Sequence, residues 1–311
     1  MSARWCTVAP ISYHDRNKLL EKGFQFSDEV SISLYPSWLS DPGFKRQLSS
    51  DIEAIVDNNQ FVLISQYEGH SLSDTDPSWT GDEPRTMEDK AFEEIQLATL
   101  ALWISRPSLI SFKTLIQAAK VNTEWRRVLH FHFKGLSAHP RDIQTVLTID
   151  DLEMSRDLFR QIKNLPRRGS VWVSLRTTLE ALTEDWWEGR FLFLWVALEA
   201  LFGPKDAREV SYRLSQRMGF FLAHDSAESK SIFSEMRKSY GWRSKVAHGV
   251  ALNKLSPKTS EEILWRTEEI LRRVLIQILL NPDVIKSFNG STREEFLDSL
   301  VFTFNNVIEH K

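Results

Sequence analysis

The chain of 311 residues holds a single cysteine, Cys6. One thiol excludes an intramolecular disulfide and any cysteine-rich zinc site, and it fits a reducing compartment. Long apolar runs are missing as well. No stretch reaches the ~18 residues a helix needs to cross a bilayer, and the opening from Met1 to Pro10 lacks the apolar core of a signal peptide. These absences predict a soluble, cytoplasmic protein with no membrane partner. Several enzyme signatures are absent too: there is no GxxxxGK(S/T), GxGxxG, HExxH or GxSxG. That disfavours a P-loop NTPase, a dinucleotide enzyme, a zinc protease and an α/β-hydrolase, and no cofactor is predicted. Nor does one charge dominate. With 39 Lys and Arg against 42 Asp and Glu, the net charge is −3, which gives the whole chain no attraction to nucleic acid. Internal repeats and low-complexity tracts are also lacking.

Aromatic residues, in contrast, are abundant: 11 Trp and 19 Phe within an apolar content of 42%. That supports a substantial core, and the length suits one large domain or two ordinary ones. Two textures divide the chain. Up to about residue 165 it reads as mixed α/β. Val30 to Tyr35, Phe61 to Ser65 and Val128 to Phe133 alternate in the manner of strands, and Ser73 to Thr86 is a polar loop. Met87 to Ile104 has helical spacing and ends before Arg106-Pro107. Asp150 to Ile162 is a second helix, with Thr148 or Asp150 as its N-cap.

Asn164-Leu-Pro-Arg-Arg-Gly-Ser170 is the boundary candidate. Beyond it the spacing is helical almost throughout. Val171 to Thr183, Trp187 to Phe202 (stopped by Gly203-Pro204), Arg208 to Leu222 and Ser229 to Tyr240 follow one another. Thr259-Ser-Glu-Glu262 forms a capping box for a helix running to Leu280, and Ser291-Thr-Arg-Glu294 repeats the device for a last helix ending near His310. The expectation is an α+β chain: a mixed α/β domain over 1–165 and an all-α bundle of five to seven helices over 171–311.

Within the helical half, residues 205–258 carry 11 Lys and Arg against 5 Asp and Glu. At the centre of this basic stretch lies Tyr240-Gly-Trp-Arg-Ser-Lys-Val-Ala-His-Gly249. It places a guanidinium (Arg243), a hydroxyl (Ser244), an ammonium (Lys245) and an imidazole (His248) within six residues. Arg offers a planar fork to phosphate oxygens, and His titrates near neutrality. Such a set can grip a phosphodiester and move a proton on it. Positions 243 and 248 are about 140° apart around an ideal helix, with a rise of roughly 7.5 Å. A shared site therefore needs Arg243 to reach around the helix, or a second copy of the motif nearby. Gly241 and Gly249 predict a short helix broken at both ends.

The run from Arg243 to Gly249 resembles the R-x4-6-H signature of HEPN domains, in the Apea-like branch of that family. Two upstream segments are similar in the same order. Phe193 to Phe202 resembles the branch's Leu-Glu-Ala-Leu helix, and Val210 to Arg217 its Ser-x-Arg-Leu-Ser segment. The resemblance covers about residues 171–310. It implies a HEPN-like helical bundle that pairs as a homodimer with both motifs lining one cleft. It also implies a metal-independent endoribonuclease, cleaving RNA by attack of the ribose 2′-OH on the adjacent phosphorus. In that scheme His248 handles the proton, Arg243 steadies the phosphorane and Ser244 adds a hydrogen bond. Glu199 matches the family's acidic residue and orients His248 or pairs with Arg243, while Lys245, Arg217, Arg213 and Tyr240 contact RNA. The roles implied for the whole chain are a toxin or antiviral effector, a regulatory or antitoxin protein as partner, and an α/β domain serving as sensor or regulator. Ser244 stands where many active members carry Asn, Asp or His. Val250 stands where the variant paired with a nucleotidyltransferase antitoxin has Tyr. The alternative is a catalytically silent dimer that holds RNA or a nucleotide in the same cleft. The residues by themselves also allow a purely structural set, with Arg243 salt-bridged to Glu199 and His248 at a helix C-terminus, where a cation is favoured.

Three other constellations carry less. His130 and His132 point to one face of a strand near His139, but no Cys or carboxylate completes a zinc site, and no metal is predicted. Glu184, Asp185 and Glu188 beside Trp186-Trp187 have the ingredients of a sugar site, yet their spacing is that of a solvated helix face beside a Trp core anchor. Glu268, Glu269, Arg272 and Arg273 form i,i+4 pairs expected on an exposed helix face.

Overall fold

The computed structural model describes residues 3–11, 18–69, 87–107, 112, 114–121, 124–132, 147–206, 208–249 and 256–309. The chain divides into two compact units, Met1–Arg167 and Arg168–Lys311, and its class is α+β.

The first unit is built on a six-stranded antiparallel sheet. Its strands are β1 (Ala3–Ile11), β2 (Phe24–Gln25), β3 (Val30–Leu34), β4 (Phe61–Gly69), β5 (Thr114–Val121) and β6 (Glu124–His132), in the order β2-β3-β4-β1-β5-β6. Side chains alternate across a strand, so Cys6 and Val8 of β1 face one side. There they join Val62, Ile64, Ile116 and Ala118 in a cluster sealed by Leu39, Phe44, Ile52 and Val56. The sealing residues come from a 3-10 turn at Ser37–Ser40, α1 (Pro42–Lys45) and α2 (Ser50–Asn58). Burial pushes the Cys6 thiol up to about 12, which removes it as a nucleophile near neutrality. α3 (Met87–Ser105) packs on β4, β1 and β3, with α4 (Ile149–Lys163) beside it. Of the two N-cap candidates for α4, Thr148 does the capping: its hydroxyl accepts from the Asp151 N–H, and the Asp151 carboxylate accepts from the Thr148 N–H. Lys163, at the end of α4, bridges Glu94 at 2.9 Å and Glu29 at 3.3 Å.

The second unit is a bundle of helices. They are α5 (Ser170–Thr183), α6 (Trp187–Phe202), α7 (Val210–Leu222), α8 (Ser226–Ala247), α9 (Pro257–Leu279), α10 (Pro282–Asn289) and α11 (Arg293–Glu309). α6 is the core helix, with Phe191, Leu194, Trp195, Leu198, Leu201 and Phe202 all buried. Phe202 of α6, Phe221 of α7 and Phe288 of α10 meet edge-on at 5.4–5.6 Å, an arrangement that suits the aromatic quadrupole.

Four sequence expectations are corrected here. α8 is one continuous helix of 22 residues passing through Gly241, not two helices separated there. α9 begins at Pro257, capped by the Ser256 hydroxyl on the Thr259 N–H, rather than at a box starting from Thr259. The span between Leu280 and Ser291, for which the sequence predicts no helix, holds α10: Asn281-Pro282 ends α9 as expected but also opens α10, with Asn281 as its cap, because proline at the first helical position lacks only an N–H that would be orphaned anyway. Glu268 is buried, held by Arg190 at 2.6 Å, and is not on an exposed face. Its neighbours pair elsewhere: Glu269 with Arg266, and Arg273 with Glu228. Among the described residues no helix is long and apolar enough to cross a membrane.

Candidate functional site

α6 and α8 are fixed to each other by a chain of hydroxyls. The Trp195 indole N–H donates to Ser239 Oγ at 3.2 Å, Ser239 Oγ and Thr267 Oγ1 of α9 lie 3.0 Å apart, and Thr267 donates to the Ile263 carbonyl at 2.8 Å. The Trp195 ring also meets Tyr240 edge-on at 5.1 Å. These contacts set the inward face of α8, and Arg243 follows one turn after Ser239 and Tyr240 on that face.

Arg243 points at Glu199 of α6. Nη2 donates to Oε2 at 3.1 Å, and Nε lies 3.1 Å from Oε1 without hydrogen-bond alignment. Both side chains are about one-quarter exposed, 27% and 26%. The pair occupies one edge of the guanidinium and leaves Nη1 with no acceptor among the described residues. The guanidinium carbon lies 5.7 Å from the Tyr240 ring centroid. Burial raises the Glu199 carboxyl above its ordinary range, and Arg243 reverses this only in part. The Tyr240 hydroxyl is raised as well, by burial and then by the Glu199 charge. Glu199, Arg243 and Tyr240 thus form one electrostatic group.

His248 stands apart from that group. It is the C-cap of α8, with φ −101° and ψ 5°, and Gly249 at φ +64° turns the chain out of the helix. Its imidazole sits on an exposed residue, and among the described residues no hydrogen bond or ion pair links it to Glu199 or Arg243. Lys245 is also exposed, its ammonium 4.0 Å over the Trp242 ring. The 140° separation read from the sequence therefore has its structural counterpart. Arg243 turns inward while Lys245 and His248 turn outward. Of the two roles open to Glu199, the structure gives pairing with Arg243.

Two residues expected to contact RNA do not face solvent as free cations. Arg217 is 4% exposed. It donates to the Phe202 carbonyl at 3.0 Å and to Glu294 and Asp298 at 2.7 and 2.8 Å. Arg213 lies 3.5 Å from Asp298 and 3.9 Å from Glu294. Both are held by α11, so Arg217 is a buried strut rather than a phosphate contact. Arg293 was not singled out from the sequence. It inserts into the end of α6 and donates to the carbonyls of Ala200, Leu201 and Gly203, capping the helix that carries Glu199. Only its position two residues beyond Ser291 hinted at a helix start, and nothing in the spacing points it at α6.

The His130, His132 and His139 side chains lie outside the described residues, as do Val250 and the loop at 73–86. Among the described residues no cluster of three or more His, Cys, Asp or Glu is arranged to hold a metal ion. Glu184 accepts from the Trp186 N–H at 3.2 Å just before α6, where Trp186 is exposed. Compared with protein-family models, with curated proteins and with solved structures, the chain matches none.

Proposed function

We propose that the helical unit is a HEPN-type, metal-independent endoribonuclease that acts on RNA as a homodimer. The observation that carries this reading is the Arg243 guanidinium: it is oriented by Glu199 along one edge, keeps Nη1 unpaired, and remains partly open to solvent. A purely structural arginine in this bundle looks different: Arg217 is buried and donates from both terminal nitrogens. In the proposed reaction His248 takes the 2′-OH proton as that oxygen attacks phosphorus. Arg243 of the second copy steadies the charged phosphorane through its free edge, and the departing 5′-oxygen takes a proton from water. Because Arg243 and His248 face apart within one chain, the site is completed by a second copy. Phe193 and Val196, 36% and 40% exposed, lie on α6 about two turns and one turn before Glu199 and offer that copy an apolar surface. A toxin or antiviral role, with a regulatory or antitoxin partner, belongs to the same proposal.

The same divergence of Arg243 and His248 favours a second reading, in which the bundle binds RNA or a nucleotide without cutting it. RNA cleavage in EDTA separates the two, comparing wild type with His248→Ala and Arg243→Ala after confirming equal melting temperatures. Cleavage by wild type alone, leaving 2′,3′-cyclic phosphate ends, supports the nuclease. RNA binding that weakens in both variants, with no cleavage by any of the three, supports the silent module.

A further inference from the structure

The first unit contains a cavity of about 590 Å³, within the ~300–1,000 Å³ range of small-molecule sites. It lies where the start of β6 meets the 3-10 turn at Ser37–Ser40 and α1. Its aromatic wall is assembled in advance. Trp38 and Trp125 stack at 4.6 Å with 21° between their planes, and Phe44 meets Trp38 edge-on at 4.9 Å. Both indoles rest against the sheet core, and stacking uses only one face of each ring. Gln47 is fixed at both ends of its amide, accepting from the Arg127 N–H at 2.9 Å and donating to the Gly43 carbonyl at 3.3 Å. The charged side chains of the lining are Asp41 and Glu124, and no Lys or Arg belongs to it among the described residues. Asp41 uses Oδ1 to accept from the Gly43 and Phe44 N–H groups, which leaves Oδ2 available. Glu124 is exposed and has no ion-pair partner among the described residues.

We propose that this cavity binds an organic cation, a small molecule carrying aliphatic ammonium groups. The face of an indole is the negative end of its quadrupole and attracts a cation. Two carboxylates around the same opening add to that potential. An anionic ligand such as a nucleotide would meet both carboxylates and no base, so the site is chemically distinct from one that holds RNA. A neutral sugar could use the rings and the acceptors but would leave the paired negative charges uncompensated. The size and rigidity of the aromatic wall suit a chain with more than one ammonium group, one over the rings and one against a carboxylate.

Calorimetric titration of the full-length protein tests this with spermidine as the cation and maltose as the neutral control. Asp41→Asn keeps the cap, since Asn and Asp cap equally well, and Glu124→Gln keeps the shape of the rim. Saturable binding of spermidine at a single site is expected, weakened about two- to fivefold by each substitution, the scale of an exposed ion pair. Trp125→Phe is expected to weaken it by a similar factor through the poorer ring. The idea is overturned if spermidine shows no saturable binding, or if the Asp41→Asn/Glu124→Gln double variant, folded by its melting curve, binds it as well as wild type. Binding of maltose in place of spermidine would reassign the cavity to a sugar.

Discussion

Arg217 and Arg243 sit on adjacent helices and use the same guanidinium to opposite ends. Arg217 has a carbonyl and two carboxylates on it at 4% exposure, so removing it leaves the Phe202 carbonyl without its donor and takes the closest cation from Glu294 and Asp298. Arg217→Ala should cost about 3 kcal/mol, read by urea denaturation at neutral pH. Arg217 also holds the Asp298 carboxyl below the usual carboxylate range. A depressed carboxyl contributes stability above its unfolded value and loses that contribution as pH falls through the folded one. The gap between wild type and Arg217→Ala should therefore narrow below about pH 4. Glu199 runs the other way, because burial outweighs Arg243 and raises its carboxyl. The native chain then holds that proton more tightly than the unfolded chain, and the contribution is complete at about pH 4 and lost as pH rises through the folded value. Glu199→Gln lacks this titration, so its stability relative to wild type should improve from about pH 4 to pH 7. A flat difference between the two pH values would mean that Glu199 is not desolvated as described. The Arg243–Glu199 pair is among the sequence expectations, but the burial and partners of Arg217 are not. The charge surplus over 205–258 marked the right stretch, but Arg217 is neutralised by residues 77 and 81 positions away. Spacing carries no information about partners that distant, and the same holds for Glu268 with Arg190.

At the level of elements, two glycines inside helices predict opposite signs. Gly219 of α7 approaches α8 so closely that a Cβ would come within 2.9 Å of the Ser229 carbonyl oxygen. Gly241 of α8 has nothing within 4 Å of the same position. Alanine gains about 0.8–1.0 kcal/mol over glycine in a helix interior. Gly241→Ala should therefore raise stability by nearly that amount, whereas Gly219→Ala should lower it because backbone must move. Thermal melts of the two variants beside wild type check both signs. Their contrast also explains which elements could be read in advance. α6 was legible because an apolar stripe ends in Gly203-Pro204, and α4 because its helical spacing follows an N-cap candidate in Thr148 or Asp150. The continuity of α8 was not, since a glycine costs only about 1 kcal/mol and the buried Met236, Ser239 and Val246 on either side of Gly241 hold the helix together. β1 and β5 escaped notice for a different reason. They are central strands covered on both faces, and such strands lose the alternation that reveals a half-exposed strand such as β3.

For the whole molecule, the decisive fact is that one chain holds Arg243 on the inward face of α8 and His248 at its outer end. If the proposed ribonuclease is correct, a monomer is half a site, and activity per chain should fall as the protein is diluted through its dimer dissociation constant. A mixing experiment isolates the same point without relying on affinity. Arg243→Ala chains keep the imidazole, and His248→Ala chains keep the guanidinium, so each homodimer lacks one group everywhere. A mixed dimer restores one combination in which the imidazole comes from one copy and the guanidinium from the other. Random exchange makes half the dimers mixed, each with one of two symmetric sites intact, so the mixture should recover on the order of a quarter of wild-type cleavage. Recovery at that level would place Arg243 and His248 of different copies in one site. Mixed dimers verified by mass spectrometry that stay inactive, while wild type cuts, would require both groups from the same chain. That outcome would force Arg243 to leave Glu199 and swing around α8 during the reaction, a movement that Glu199→Gln should then make easier and the cleavage rate should report.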